Sequence, residues 1–429
     1  MPDESERAGT NPVHRSPAPS HAPERARIRE ELERLEAGYV EPCQTASLYV
    51  SASCNLRCGY CWNAQGTFGR APASITSATG RAVIDFLVAQ GRSAVSILLF
   101  GGEPLMHLDR VREILEYARE RSSEAGKPFT FSINTNGTLL EDRAIHLLAD
   151  HDVDVLVSLD GDRETHDRNR PFQGGGPSFD RVTRGLRRYT ELTGRPPRVR
   201  ATLAPGARSW IETFEAIRAL GVLDIEVAWS FGGPSELPDP RMAWPPAEKV
   251  RRIREEVQAF AQFYVEYLAA LPESQQACID GFFGSLLGRT LGTLHAASCS
   301  VHRGTSLAFS TDGGIYSCAE GVAHEHLRLG DVLTGISNTV ALRAAAKRAL
   351  APAEECTDCW LRYLCSGGCF IQNHSVSENR WQFACASEEC EIRRATYEIG
   401  VAFLAELARR APRHYERLLQ RAPTPDVCA

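Results

Sequence analysis

The chain has 429 residues, 43% hydrophobic and 24% charged, an ordinary globular composition long enough for two or three domains. A net charge of −6 provides no basic field for nucleic acid or an anionic membrane, and the longest apolar runs, such as Val95 to Phe100, are far too short to span a bilayer. The N-terminus lacks an apolar signal-peptide core, so the chain reads as cytoplasmic, and in that reducing setting its 14 cysteines point to metal ligands rather than disulfides.

Residues 1–44 form a leader rich in Pro, Ser and His, predicted disordered to about residue 26 and then helical over Arg27 to Ala37. From Thr45 to residue 235 strand and helix alternate. Strands are expected at Ala46–Ser51, Val95–Phe100, Phe129–Asn134, Asp154–Leu159, Arg198–Leu203 and Asp224–Trp229. Helices are expected at Thr76–Ala89, Asp109–Ser122, Asp142–Ala149, Phe179–Leu192 and Trp210–Leu220. Buried parallel strands should be near-continuous apolar runs, as Ser96-Ile-Leu-Leu-Phe100 is. Six such units predict an α/β fold, a partial (β/α)6 TIM-like barrel, with active groups at the C-terminal ends of the strands. Residues 236–298 read as a bridge containing a long helix, Pro246 to Leu271. Residues 299–410 are rich in cysteine and end in a helix from Glu391 to Arg410, and 411–429 are a tail.

The first strand leads directly into Ser53-Cys-Asn-Leu-Arg-Cys-Gly-Tyr-Cys-Trp62, which places Cys54, Cys58 and Cys61 in a C-x3-C-x2-C spacing with Tyr60 before the last cysteine. Three thiolates bind three irons of a [4Fe-4S] cube and leave the fourth open, whereas electron-transfer clusters use four cysteines. A zinc site would want a fourth ligand, and the nearest downstream histidine, His107, lies beyond a different strand. The second strand ends in Gly101-Gly102-Glu103-Pro104, where glycine lets backbone approach a ligand closely. The third ends in Ser132-Ile-Asn134-Thr-Asn136-Gly137 and the fourth in Ser158-Leu-Asp160-Gly161. Short polar groups at strand ends suit a ribose or carboxylate, though Asn-Gly and Asp-Gly also favour turns, and Asp160 either orients a substrate or caps the next helix.

The triad followed one strand later by the GGEP turn resembles the signature of radical S-adenosylmethionine (SAM) enzymes. The resemblance implies that SAM chelates the open iron and that Gly101, Gly102, Glu103 and Pro104 meet its methionine amino group. It further implies that Ser132, Asn134 and Ser158 line the SAM site and that Arg170 lies near the carboxylate. An electron from a flavodoxin or ferredoxin type of donor would cleave SAM to a 5'-deoxyadenosyl radical, which the barrel interior shields.

A second cysteine field reads Cys299-x13-Gly313-x4-Cys318, then Cys356-x2-Cys359-x5-Cys365-x3-Cys369, with Cys385 and Cys390 after it. It resembles the SPASM extension of radical SAM enzymes, and with the triad the resemblance covers residues about 45 to 410. It implies two auxiliary iron-sulfur clusters, both [4Fe-4S] by analogy with that extension. Cys299, Cys318 and Cys369 would bind the first; Cys356, Cys359, Cys365 and a late cysteine would bind the second. Cys390, which directly precedes the expected final helix, is preferred over Cys385. The fourth ligand of the first cluster is Cys385, Cys278 or none, and an open iron there could take a substrate thiol. A zinc ribbon would need only four of these cysteines. Cys43, Cys278 and Cys428 otherwise stand alone.

The run Cys61-Trp-Asn-Ala-Gln-Gly-Thr-Phe-Gly69 is similar to one in maturases that form thioethers in ribosomal peptides and in the quinohemoprotein amine dehydrogenase maturase, with Trp62 and Asn63 as departures. Gly66 and Gly69 also suit a loop needing positive φ. The expected activity is an intramolecular thioether or carbon-carbon crosslink in a precursor peptide, with any full leader-binding domain on a separate chain. The alternative is an anaerobic sulfatase-maturating enzyme, which makes formylglycine. That family has an acid directly after the cysteine matching Cys318, where this chain has Ala319 and then Glu320; Glu320 or Asp312 would have to substitute. A non-catalytic iron-sulfur or zinc-binding protein is the remaining class.

Overall fold

The structure is a computed structural model. It describes residues 26–421 except 27–28, 31, 35, 38, 69–70, 231–238, 273–274, 285, 287–300, 302–303, 351–353, 366, 372, 378–379 and 384–386. Residues 1–25 and 422–429, Gly69, Cys299, Cys385 and Cys428 therefore lie outside the described residues. The described residues between 26 and 36 are helical.

The chain then alternates as its periodicity requires: β1 (Cys43–Ser51), α1 (Ser77–Gln90), β2 (Gly91–Gly101), α2 (Leu108–Ala125), β3 (Phe129–Thr135), α3 (Asp142–Asp150) and β4 (Asp154–Ser158). It continues through α4 (Arg163–Asn169), α5 (Phe179–Thr193), β5 (Arg198–Leu203), α6 (Trp210–Arg218) and β6 (Asp224–Trp229). Local signals set the helix starts. Thr76 caps α1 by accepting the Thr79 amide, and Ser209 with Glu212 forms a capping box on α6. The six strands pair in parallel in chain order, so the fold is the expected incomplete barrel.

Strand patterning differs from the expected continuous apolar runs. Ile97, Leu99, Ile133, Val155, Val157, Val199, Ala201, Ile225 and Val227 are buried, in one apolar cluster with Val83, Leu115, Leu148, Val182 and Phe214 of the helices. The residues between them are mostly half-buried: Leu98, Phe100, Ser132, Asn134, Leu156, Ser158, Arg200 and Glu226. The register joins these alternate residues across strands, pairing Leu98 with Ser132 and Arg200 with Glu226. Only the helix-covered face is dry. The other lines the barrel interior and carries charge, as in the Arg198–Asp154 pair at 3.1 Å.

The second half of the chain is built onto this sheet. After α7 (Pro246–Ala270) and β7 (Ile279–Asp280), strand β8 (Ser306–Phe309) pairs in parallel with β1. Antiparallel β9 (Gly314–Tyr316), β10 (Arg328–Asp331) and β11 (Gly335–Ile336) extend the sheet outward. One continuous sheet results, with β11 and β7 at its edges. Then come α8 (Val340–Leu350), helical turns at Glu354–Thr357 and Arg362–Cys365, and an antiparallel hairpin of β12 (His374–Ser377) and β13 (Arg380–Phe383). The chain ends in α9 (Ser387–Arg410) and α10 (Pro412–Arg421).

Two expectations are corrected here. The final long helix begins at Ser387, so Cys390 sits in its first turn rather than before it; Glu388 and Glu389 favour that start through the helix dipole. Part of the expected tail is the helix α10, which starts on Pro412 and buries Leu418. Helices α7 and α9 run parallel, from a Lys249–Glu389 ion pair at 2.6 Å to stacked Tyr264 and Phe403. Among the described residues no helix is long and apolar enough to cross a membrane.

Candidate active site

The cysteine loop leaves β1 and is held on several sides. The Leu56 amide donates to Cys54 Sγ at 3.4 Å, and the Cys61 thiol donates to Asn63 Oδ1 at 2.6 Å. Asn63 also caps the 3-10 turn Ala64–Gly66. The segment after α4 zips along the loop: Gly59 N donates to Asn169 O at 3.1 Å, Arg57 N to Pro171 O at 2.9 Å and Gln173 N to Asn55 O at 3.0 Å. Gln173 Nε2 adds bonds to the carbonyls of Cys54 and Leu56 at 3.3 and 3.1 Å.

The GGEP turn lies against this loop. Gly102 N donates to Ser51 O and Glu103 N to Ser53 O, each at 2.9 Å. A Cβ on Gly101, whose φ is +132°, would fall 2.1 Å from Ser51 O; one on Gly102 would fall 2.1 Å from Ser53 O and 3.1 Å from Cys54 Cβ. Only glycine allows this approach. Glu103 is fully buried and its carboxylate serves the protein. Oε1 accepts from Leu105 N at 3.0 Å and Thr135 Oγ1 at 2.8 Å, and Oε2 accepts from Asn136 N at 2.7 Å. Burial pushes Glu103 up to about 7 against those three bonds. Pro104 is buried at the start of the turn Pro104–His107. The two glycines therefore let the turn press against the cysteine loop, while the Glu103 side chain ties β2 to β3.

Ser132, Asn134 and Ser158 are half-buried on the interior face near the C-terminal strand ends. Arg170 is deeper. Its Nε lies 3.0 Å from Asp160 Oδ1, an ion pair with poor hydrogen-bond angle, and its guanidinium sits 5.3 Å from the Tyr60 ring centroid. Asp160 also accepts from Tyr60 Oη, from Asn169 Nδ2 at 3.2 Å and from Thr202 N at 2.9 Å. Arg170 is thus engaged with protein groups that hold the cysteine loop.

Burial pushes the Cys54 thiol up to about 12, with the Glu103 charge adding to it, and raises Cys58 as well. Buried thiols of this kind ionise only when a cation compensates, and iron is such a cation. Among the described residues no three His, Cys, Asp or Glu side chains converge on a single ion. A cube asks for something different, one thiolate per iron on three separate corners. The donor set fits a three-cysteine cluster, and the glycine turn packs directly against the loop that carries it.

In the C-terminal field, Arg394 of α9 faces the thiols of Cys359, Cys390 and Cys356, which hold its charge. Three cysteines of the second expected set thus lie within electrostatic reach of one guanidinium; Cys365 lies at the end of its own helical turn. Cys318 and Cys369 come together, and the carboxylate of Glu320 joins them. Cys278 lies elsewhere, near β7 at the far edge of the sheet, with its thiol 3.5 Å from Val222 O. Cys43 is likewise a core thiol, donating to Thr45 O at 3.2 Å.

Sequence reasoning passed over Asn63, Asn136 and Gln173. Asn136 Nδ2 reaches Cys54 Sγ at 3.6 Å, and Asn63 Nδ2 reaches Gly101 O at 3.5 Å. An Asn two residues past the last cysteine, before a short turn, is a readable cap signal for Asn63; Gln173 carries none.

Comparison with known proteins agrees with this geometry. Residues 48–206 match the model of the Radical SAM superfamily. The Fe-coproporphyrin III synthase of Methanosarcina barkeri is 37% identical over 143 residues, 33% of this chain and 33% of that protein, so the chain aligns with only a third of it. A serine-type anaerobic sulfatase-maturating enzyme of Klebsiella aerogenes is 24% identical over 355 residues, covering 77% of this chain and 80% of that one. Among solved structures, anSMEcpe with bound AdoMet superposes with a TM-score of 0.69 at 17% identity, covering 88% of this chain and 98% of the other. Streptococcus suis SuiB bound to S-adenosylmethionine gives 0.53 at 17% identity, covering 80% and 77%. At such identities the structural likenesses speak for the fold.

Proposed function

From the match of residues 48–206 to the Radical SAM superfamily, we propose that this chain is an oxidoreductase that abstracts hydrogen from a ribosomally made peptide and closes an intramolecular thioether or carbon-carbon crosslink. When bound, the clusters and SAM supply the reductive split of SAM, hydrogen-atom abstraction by the deoxyadenosyl radical, and an acceptor for the electron left behind. Cys54, Cys58 and Cys61 hold the first cluster, and Gly101 and Gly102 give SAM its backbone contacts. Ser132, Asn134 and Ser158 line the interior beside it. Cys318, Cys369 and Cys299 hold one auxiliary cluster; Cys356, Cys359, Cys365 and Cys390 hold the other. We place the enzyme in the cytoplasm, served by a flavodoxin or ferredoxin type of donor.

The observation that carries this reading is the contact between β1 and the C-terminal field. Tyr49, on the interior face of β1, donates its hydroxyl to Ala319 O at 3.0 Å. Its ring packs edge-on to Phe68 and Phe100, and the exposed Trp62 stacks on Phe100. A chain of ring contacts thus links the residue after Cys61 to the residue after Cys318. It packs the cysteine loop against the auxiliary-cluster field, as a reaction needing both a hydrogen-abstracting site and an electron acceptor requires, and leaves Trp62 exposed at its end.

The sulfatase-maturating relative aligned along most of the chain favours a second reading, formylglycine formation. Against it, Ala319 stands directly after Cys318 and its carbonyl is taken by Tyr49.

Anaerobic incubation of the reconstituted enzyme with SAM, reductant and the peptide encoded beside its gene separates the outcomes. Deoxyadenosine with loss of two hydrogens and one alkylatable thiol indicates a thioether. The same loss with all thiols free and no carbonyl indicates a carbon-carbon link. A product that reacts with hydrazide indicates formylglycine and replaces the crosslink reading. No deoxyadenosine from fully loaded enzyme refutes both.

A further inference from the structure

Of the first auxiliary set the described residues include Cys318 and Cys369, and a carboxylate stands with them. Glu320 Oε2 lies 3.5 Å from Cys369 Sγ, and the Glu320 and Cys369 charges both act on the Cys318 thiol. The position is built rather than incidental. The Tyr49 hydroxyl fixes the Ala319 carbonyl at 3.0 Å, and Gly321 N donates to Cys318 O at 3.1 Å, closing the turn Glu320–Ala323 around the cysteine.

We propose that Glu320 is a ligand of the first auxiliary cluster, binding through a carboxylate oxygen an iron next to those held by Cys318 and Cys369. Carboxylate oxygen is a competent iron ligand, harder than thiolate, and a mixed ligand set shifts the potential of a cluster. The inference rests on the auxiliary clusters of the function proposed above.

The test uses the full chain with Cys54, Cys58 and Cys61 all replaced by Ala, which removes the SAM cluster and isolates the auxiliary ones. This parent is expected to retain two clusters' worth of iron; a parent without iron would sink the auxiliary-cluster reading itself, and this inference with it. Adding Glu320→Gln is expected to make one iron labile, so that mild oxidation yields a [3Fe-4S] electron paramagnetic resonance signal absent from the parent. Glu320→Cys, which offers a thiolate from the same position, is expected to suppress that signal and shift the midpoint potential. A Glu320→Gln protein with the parent's iron content and spectrum would overturn the assignment while leaving the clusters intact. Unmutated holoenzyme labelled with 13C at glutamate carboxyls gives an answer independent of folding. A carboxyl 13C hyperfine coupling to the reduced auxiliary cluster is expected, and its absence overturns the assignment.

Discussion

Asp160 is 2% exposed and gathers Tyr60, Asn169, Thr202 and Arg170 around one carboxylate. Its two alternative readings, substrate orientation or helix capping, both miss this role, and the cap of α4 is Asp162. Asp160→Asn would leave Arg170 buried without its counter-charge. Removing one partner of a buried pair costs about 3–5 kcal/mol. Tyr60→Phe deletes one hydrogen bond and strands no cation, at about 1–3 kcal/mol. Denaturant unfolding should therefore rank Asp160→Asn as the more damaging, and both variants should cleave SAM more slowly, because Tyr60 lies inside the cysteine loop. A Tyr60→Phe enzyme with normal stability but no SAM cleavage would instead assign the hydroxyl a role in the chemistry.

At the scale of the turn, Gly102 and Gly126 make a controlled pair. Ala at 102 would place Cβ 2.1 Å from Ser53 O, so either the turn or the cysteine loop must move. Gly126 ends α2 at φ +62° with nothing within 4 Å of an added Cβ. Gly126→Ala should cost only the left-handed strain of about 1–2 kcal/mol and keep its iron. Gly102→Ala should lose iron from the first cluster, read as iron per chain. Helix α4 gives the fold a pH dependence. His166 accepts from Asp160 N through Nδ1 at 3.2 Å, and Nε2 faces Ser178 Oγ at 3.0 Å, whose hydroxyl donates to Arg170 O at 2.5 Å. That pattern needs neutral imidazole, and burial lowers His166 from 6.5 to about 4. Between those values the unfolded chain takes up a proton that the folded one refuses. Stability is therefore full above about 6.5 and falls as pH drops toward about 4, by up to about 3 kcal/mol. His166→Gln should flatten that slope in unfolding followed against pH.

Across the whole molecule, what the sequence reveals depends on how local the cause is. β5 and β6 appear with their expected limits, because strand and helix periods are written in adjacent residues. The three cysteines and the GGEP turn are legible for the same reason. Helix α4 is not, since its seven residues are too few to show a period. The clamp of 169–173 on the cysteine loop, and the meeting of Glu320 with Cys369, depend on tertiary contacts that no short window encodes. The pairing of Thr45 with Ser306 and Leu48 with Phe309 is the most distant of these. It also orders events in time. A ribosome releases β1 and the cysteine loop long before it has made β8, so in the nascent chain β1 is an unsealed edge, open to strands from other molecules. The finished protein closes that edge with its own C-terminal half, and any factor that protects the unfinished chain has to cover β1 until residue 309 has emerged.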